Sequence, residues 1–236
     1  MDIKQIIEEI KLKDSHPEYW DFKGNDQREH VHSMLKYPAV MVPNMQGEIF
    51  DILLRHDSSI YNVLDPFMGS GTSLLSCIEF GFNVFGQDIN PFAVLLSKAK
   101  TTTYDVSKLR STLENIKKHI LQDDSTTIDI TFSSIDKWFT EDAQISFSKI
   151  RRAIKAEECI DYRNFFWVLM SEAIRVGSND RTSTFKLHRR SSEELQHRKI
   201  DIIQKDVKIL LDDMYNYVKE SKLEISTEGS YEEQIK

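Results

Sequence analysis

Between Ile60 and Thr72 the chain runs Ile60-Tyr61-Asn62-Val63-Leu64-Asp65-Pro66-Phe67-Met68-Gly69-Ser70-Gly71-Thr72. An apolar, β-prone run ends in the acid Asp65, turns through Pro66 and two glycines, and enters the apolar helical pattern Leu74, Leu75, Ile78. The spacing predicts a strand, a tight loop and a helix N-terminus, the opening unit of an α/β fold.

What the loop lacks narrows its chemistry. A nucleoside triphosphate loop places Lys after its last Gly to meet the β- and γ-phosphates, whereas Gly71 is followed by Thr72. A dinucleotide fingerprint carries a third small residue three positions after its second Gly, and here that position is Leu74. A pyrophosphate would also be repelled by Asp65. A cationic ligand would be attracted by it, and glycines without Cβ let a ligand approach the backbone closely. Downstream, Asn83-Val84-Phe85-Gly86-Gln87-Asp88-Ile89-Asn90-Pro91 reads as a second short strand ending in an acid. An acid at this distance from a glycine loop accepts hydrogen bonds from ribose hydroxyls on the neighbouring parallel strand. Asp65 and Asp88 therefore suit a nucleoside with a cationic amino-acid tail.

These same residues carry a family resemblance. Asp65-Pro66-Phe67-Met68-Gly69-Ser70-Gly71-Thr72, followed by Gln87-Asp88-Ile89-Asn90-Pro91, resembles the S-adenosylmethionine loop of the amino-group DNA methyltransferases, which modify adenine N6 or cytosine N4. The resemblance implies a partial Rossmann-like methyltransferase fold. It also implies that Asp65, Pro66, Phe67, Gly69, Ser70, Gly71 and Thr72 surround the methionine end of S-adenosyl-L-methionine. Asp88 would hold the ribose, with Ile89 and Asn90 beside it, and the adenine would lie against Ile89 or Phe92; a helix-core role for these apolar residues is the competing reading. Tyr37-Pro38-Ala39 is similar to a segment that packs beside the methionine end in that family, which makes Pro38 a further candidate; the alternative is a buried connector. No metal is required.

Charge at first argues against a nucleic-acid partner. The 236 residues hold 38 acids against 31 Lys and Arg, for a formal charge of −7, and phosphate neutralisation by bases supplies most non-specific DNA affinity. Distribution matters more than the sum. Acids gather near the N-terminus, around Asp123-Asp124 and from Glu220 to Glu233, whereas Arg175 to Lys199 is enriched in bases. Within it, Arg181, Lys186, Arg189 and Arg190 stand among Ser, Thr and Asn, a composition suited to phosphate contacts or to a plain solvated loop. Relatives of this type carry a stretch similar to Arg181–His188, so the implied partner is double-stranded DNA. No apolar run is long enough to span a bilayer, and Met1-Asp2-Ile3-Lys4 is not a signal peptide, so a cytoplasmic protein is expected. Cys77 and Cys159 are too few for a disulfide scaffold and are read as small core residues.

In chain order, Ile3, Ile6, Ile7 and Ile10 predict an amphipathic helix, and Pro43 opens a second helix carrying Ile49, Ile52, Leu53 and Leu54. Asn90 and Pro91 are a cap and first turn for a helix over 92–100. After Asp105 the strand–helix alternation stops. Helices are expected over 106–121, around Trp138-Phe139, over 145–156 and over 165–176. A short extended piece is expected over 128–132, and a loop from Ser171 to Ser191. Ile200, Ile203, Val207, Leu210, Met214 and Tyr217 predict a long amphipathic helix. The resulting division is an N-terminal helical segment (1–58), a cofactor-binding βαβα core (59–104), a largely helical insertion with the basic loop (105–222) and an acidic tail (223–236).

One part of the family pattern is missing. Those methyltransferases position and stack the flipped base with an Asp/Asn/Ser-Pro-Pro-aromatic motif. The five prolines here, Pro17, Pro38, Pro43, Pro66 and Pro91, include no adjacent pair. No further parallel strands are readable after Asn90, so no catalytic residue is assigned. The expectation is the cofactor-binding part of a split or truncated restriction-modification methyltransferase, with a second polypeptide supplying the motif. An inactive remnant, a cofactor- or nucleic-acid-binding accessory protein and an RNA guanine-N2 methyltransferase are the alternatives.

Overall fold

The computed structural model describes residues 3–16, 18–22, 35, 37–38, 41–181 and 186–196. The expected helix over 200–217, the acidic tail, Ala39 and residues 182–185 of the basic stretch lie outside the described residues. The protein is a helix-rich α/β chain with a small parallel sheet, and it divides into two compact units, one ending at Thr102 and the other beginning at Thr103.

The first unit holds helices α1 (Ile3–Asp14), α2 (Pro43–His56), α3 (Thr72–Glu79) and α4 (Pro91–Thr101), with strands β1 (Asn62–Asp65) and β2 (Asn83–Gly86). Pro43 and Pro91 both occupy a first helical turn, where a missing N–H costs nothing. Asn90 caps α4, its side chain accepting from Phe92 N at 3.0 Å. Helices α1 and α2 pack together, α1 burying Ile6 and α2 the fully buried Ile52, with Lys13–Glu48 and His56–Glu9 pairs joining them.

The strands run parallel with Asn62 opposite Asn83 and Leu64 opposite Phe85. Alternate residues of a strand face opposite ways, so the two faces of this ribbon differ. On one, Val63 and Val84 are partly buried and α3 packs so closely that a Cβ on Gly86 would collide with Met68 Sδ and reach 2.8 Å from Leu74 Cδ1. On the other, Leu64 and Phe85 are 64% and 58% exposed. Among the described residues no third strand pairs with either edge.

The second unit is helical: α5 (Val106–Gln122), α6 (Ile135–Trp138), α7 (Glu141–Lys155), α8 (Ile160–Gly177) and α9 (Ser192–Gln196). Leu109, Leu113, Ile116 and Ile120 recur at helical spacing on α5 and are buried with Phe147, Ile150 and Ile154 of α7 and Phe165, Phe166 and Leu169 of α8. Asp105 and Thr140 cap α5 and α7.

Three expectations are corrected here. Residues 128–132 form no strand; side-chain bonds hold this stretch instead, with Arg152 reaching Asp123 at 2.8 Å and Asp129 at 2.6 Å, and Arg151 reaching Asp129 at 2.9 Å. The segment Ser171–Ser191 is not all loop, because α8 continues to Gly177 and Arg175 is tied to Glu172 within it. Cys77 is buried, but Cys159 is exposed at the N-terminal end of α8, where an apolar residue has no core to enter.

Candidate functional site

The two acids foreseen as ligand-binding sit at the same end of adjacent parallel strands. Asp65 closes β1, and Asp88 lies two residues past the end of β2. Pairing continues beyond the strands, with Gln87 N donating to Asp65 O at 3.0 Å and Met68 N to Gln87 O at 3.1 Å. The segment after β2 therefore lies directly against the glycine loop. In open α/β sheets ligands bind outside the carboxyl ends of the strands, which is where these acids are.

Both carboxylates also organise the loop. Asp65 Oδ1 accepts from Phe67 N at 2.9 Å, and Oδ2 accepts from the Ser73 hydroxyl. Asp88 spans the two connections, accepting from Gly69 N at 2.9 Å through Oδ2 and from Asn90 N at 2.8 Å through Oδ1. Two backbone bonds leave a carboxylate with spare lone pairs, since it offers about four acceptor sites. Asp88 can therefore pin the loop and still accept from a ligand hydroxyl.

Gly69 and Gly71 adopt φ of +50° and +76°, a region costly for residues with a Cβ. Gly71 N donates to Met68 O at 2.7 Å, closing the turn into α3. At Gly71 an added Cβ would also fall 2.7 Å from Ser97 Oγ on α4. Ser97, a residue not foreseen, is buried and donates its hydroxyl to Gly69 O at 3.1 Å. Ser70 and Thr72 are buried beneath the loop with their hydroxyls 3.3 Å apart. These two support the loop from below.

The loop mouth is apolar. Phe67 is 86% exposed and Ile89 100% exposed, while Pro66 and Asn90 are exposed beside them. Pro38 is exposed, and it is its neighbour Tyr37 that reaches the site: Asn90 Nδ2 donates to Tyr37 Oη at 3.3 Å, and the Tyr37 ring passes 3.8 Å from the position of a Cβ on Gly69. Its aromatic character and its place beside the Pro-Ala pair were the available signal. Cys77 is no nucleophile, because burial, with the Asp65 charge adding, pushes its thiol up to about 12.

In the second unit, Asp180 and Arg189 form an antiparallel bridge, with Arg181 N donating to His188 O at 2.9 Å and Arg190 N to Asn179 O at 2.9 Å. Arg181 and Arg189 are thereby brought to one place. Arg190 is half-buried alongside, and Lys186 is exposed. Among the described residues no cluster of His, Cys, Asp and Glu has the makings of a metal site, and no helix is long and apolar enough to cross a membrane.

Comparison with known proteins finds similarity to methyltransferases. The chain is 34% identical over 202 residues to the type II methyltransferase M.MvaI of Kocuria varians, taking in 82% of this chain and 44% of that protein. It is 40% identical over 88 residues to the type II methyltransferase M.MjaII of Methanocaldococcus jannaschii, 37% of this chain and 16% of the relative. The chain thus spans less than half the length of the first of these relatives. No protein-family model and no solved structure matches it.

Proposed function

We propose that this chain, a homologue of the type II methyltransferases over part of their length, binds S-adenosyl-L-methionine and is the cofactor-binding part of a DNA methyltransferase acting on adenine N6 or cytosine N4. One observation carries the reading: Asp65 and Asp88 stand at the carboxyl ends of adjacent parallel strands, each bonded to the glycine loop between them, Asp65 to the Phe67 amide and Asp88 to the Gly69 amide. Two carboxylates and two positive-φ glycines fit a ligand with a cationic tail and a ribose. In the Rossmann-like arrangement we propose, the 65–72 loop surrounds the methionine end, Asp88 accepts from the ribose hydroxyls, and Ile89 and Phe67 cover apolar surface of the ligand. When bound, S-adenosylmethionine supplies a methyl already activated on a sulfonium, so the residues here need only hold it in line and exclude water.

The Pro-Pro-aromatic motif that would position the target amine is not in these 236 residues. We assign it to a second polypeptide. Leu64 and Phe85 offer that polypeptide an apolar sheet face beside strand edges that no described residue pairs with, a surface parallel sheets ordinarily cover. The basic bridge of the second unit is assigned to DNA.

The decisive experiment measures labelled methyl transfer from S-adenosylmethionine to unmodified DNA, with the chain alone and with the protein encoded beside it. Transfer only in the mixture is expected. Calorimetric titration supplies the residue-level test: Asp88→Asn should weaken S-adenosylmethionine binding at least tenfold. It should also narrow the preference for S-adenosylmethionine over its 2′-deoxy analogue, a readout that a purely loop-supporting role would not move. An unchanged preference removes the ribose assignment.

A further inference from the structure

Beside the Asp180–Arg189 bridge the second unit has an open cavity of about 610 Å³ lined by Lys137, Trp138, Arg181, Leu187, His188 and Arg189. A third of its lining residues lie outside the basic stretch, because α6 contributes Lys137 and Trp138. The junction is built by main-chain acceptors at the end of α6. Lys137 O accepts from Arg189 Nε at 3.0 Å and from Asn179 Nδ2 at 3.3 Å, and Trp138 O accepts from Asn179 N at 2.7 Å. These bonds fix α6 against the bridge and hold the cations together.

The lining is one-sided in charge. Lys137, Arg181 and Arg189 supply three cations, all exposed, and among the described residues no carboxylate lines the cavity. Of the acids close by in the chain, Asp180 is buried and accepts from His188 N at 2.5 Å, Asp136 accepts from Gln144 Nε2 at 2.9 Å, and Glu194 pairs with Arg181 at 3.1 Å and accepts from Ser191 N at 2.7 Å, which partly neutralises Arg181. Lys137 Nζ lies 4.9 Å from the centroid of the Trp138 ring, a cation–π attraction that leaves its N–H donors available. Arg181 and Arg189 each have five N–H donors, and the partners just named use only some of them. Trp138 and the 70% exposed Leu187 add an apolar wall between these cations.

We propose that this cavity is a contact site for the DNA backbone, with Lys137, Arg181 and Arg189 meeting phosphates and Trp138 with Leu187 lying against the intervening deoxyribose. The alternation of cation and apolar surface matches a sugar–phosphate chain better than a compact acid, and a chain that is acidic overall has gathered bases here. The inference deepens the methyltransferase reading and rests on it for the identity of the polyanion. It adds Lys137 and Trp138 as positioning contacts, which carry no sequence information of their own.

The test is fluorescence anisotropy of a labelled 30-base-pair duplex with the intact chain over a salt series. Lys137→Gln should weaken binding several-fold and lower the slope of log K against log salt by about 0.9, the value for one lost phosphate contact. Trp138→Leu should weaken binding at every salt concentration while leaving the slope unchanged. Unaltered affinity and slope in a folded Lys137→Gln protein overturn the proposal, as does failure of the intact chain to bind duplex at 20 mM salt. Titration of S-adenosylmethionine in the same variants separates the two readings: cofactor binding without any effect of Lys137 sinks the cavity alone, whereas Lys137-dependent DNA binding without cofactor binding sinks the methyltransferase reading and leaves the cavity standing.

Discussion

Gly71→Ala is expected to destabilise the first unit by about 2–5 kcal/mol, a large part of the 5–15 kcal/mol that holds a typical domain. Two costs combine. The residue adopts φ +76° at the N-terminal cap of α3, and placing an L-side chain there costs roughly 1–2 kcal/mol. The new Cβ would then lie 2.7 Å from Ser97 Oγ, 3.0 Å from Ser97 Cβ and 3.3 Å from its Cα. Backbone sits behind that side chain, so little can move, and overpacking of this kind costs roughly 1–3 kcal/mol. Urea unfolding followed by circular dichroism measures the sum. Adding Ser97→Gly to Gly71→Ala should restore the steric share and leave the backbone share. If the double substitution is no better than the sum of the singles, α4 is not what crowds Gly71.

Lys100→Met is expected to act in the opposite direction. Lys100 is 5% exposed in the last turn of α4, and burial pulls its pKa from the ordinary 10.5 down to about 8. A lowered lysine pKa means the folded state resists the proton that the unfolded chain accepts. The unfolded chain therefore binds more protons between pH 8 and pH 10.5, and stability rises with pH across that window. Below pH 8 the full penalty applies, about 3 kcal/mol at 1.36 kcal/mol per tenfold change in proton affinity. Methionine keeps the length of the side chain without the charge. The variant should therefore be about 2–3 kcal/mol more stable at pH 7, and the difference from the natural chain should shrink toward pH 10.5. Equal urea midpoints at pH 7 would mean that the ammonium reaches water.

The organisation around the glycine loop was legible because it depends on local rules. Pro43, Asn90 and Pro91 mark helix starts through capping and a missing N–H, and each does so in the structure. Asp65 and Asp88 were singled out by their spacing from the glycines, and the structure places both at the carboxyl ends of the strands. Their loop-pinning bonds were not readable, since the Gly69–Asp88 bond joins connections that only strand pairing brings together. Ser97 escaped for the same reason: its place in α4 looks like any small helical residue until the Gly69 carbonyl arrives above it. In the second unit Trp138 read as an apolar residue on a short helix, and nothing nearby in sequence says that Arg189, fifty-one residues on, returns to the carbonyl of Lys137. The stretch 128–132 misled because its β-branched and aromatic residues suit a strand, while Arg151 and Arg152 hold it as irregular chain.

The shared carboxylate of Asp88 has a consequence for anyone wishing to re-engineer this site. Altering the proposed sugar contact to admit a modified cofactor would ordinarily begin with the acid, but here the carboxylate assigned to the ribose also secures Gly69 and Asn90. A designer who changes that residue disturbs the loop at the same stroke, so that affinity alone mixes the two effects and only the preference between cofactor analogues separates them. Ile89 offers the cleaner handle: its side chain is fully exposed, so a library built there can vary the surface proposed to cover the ligand while the scaffold stays fixed.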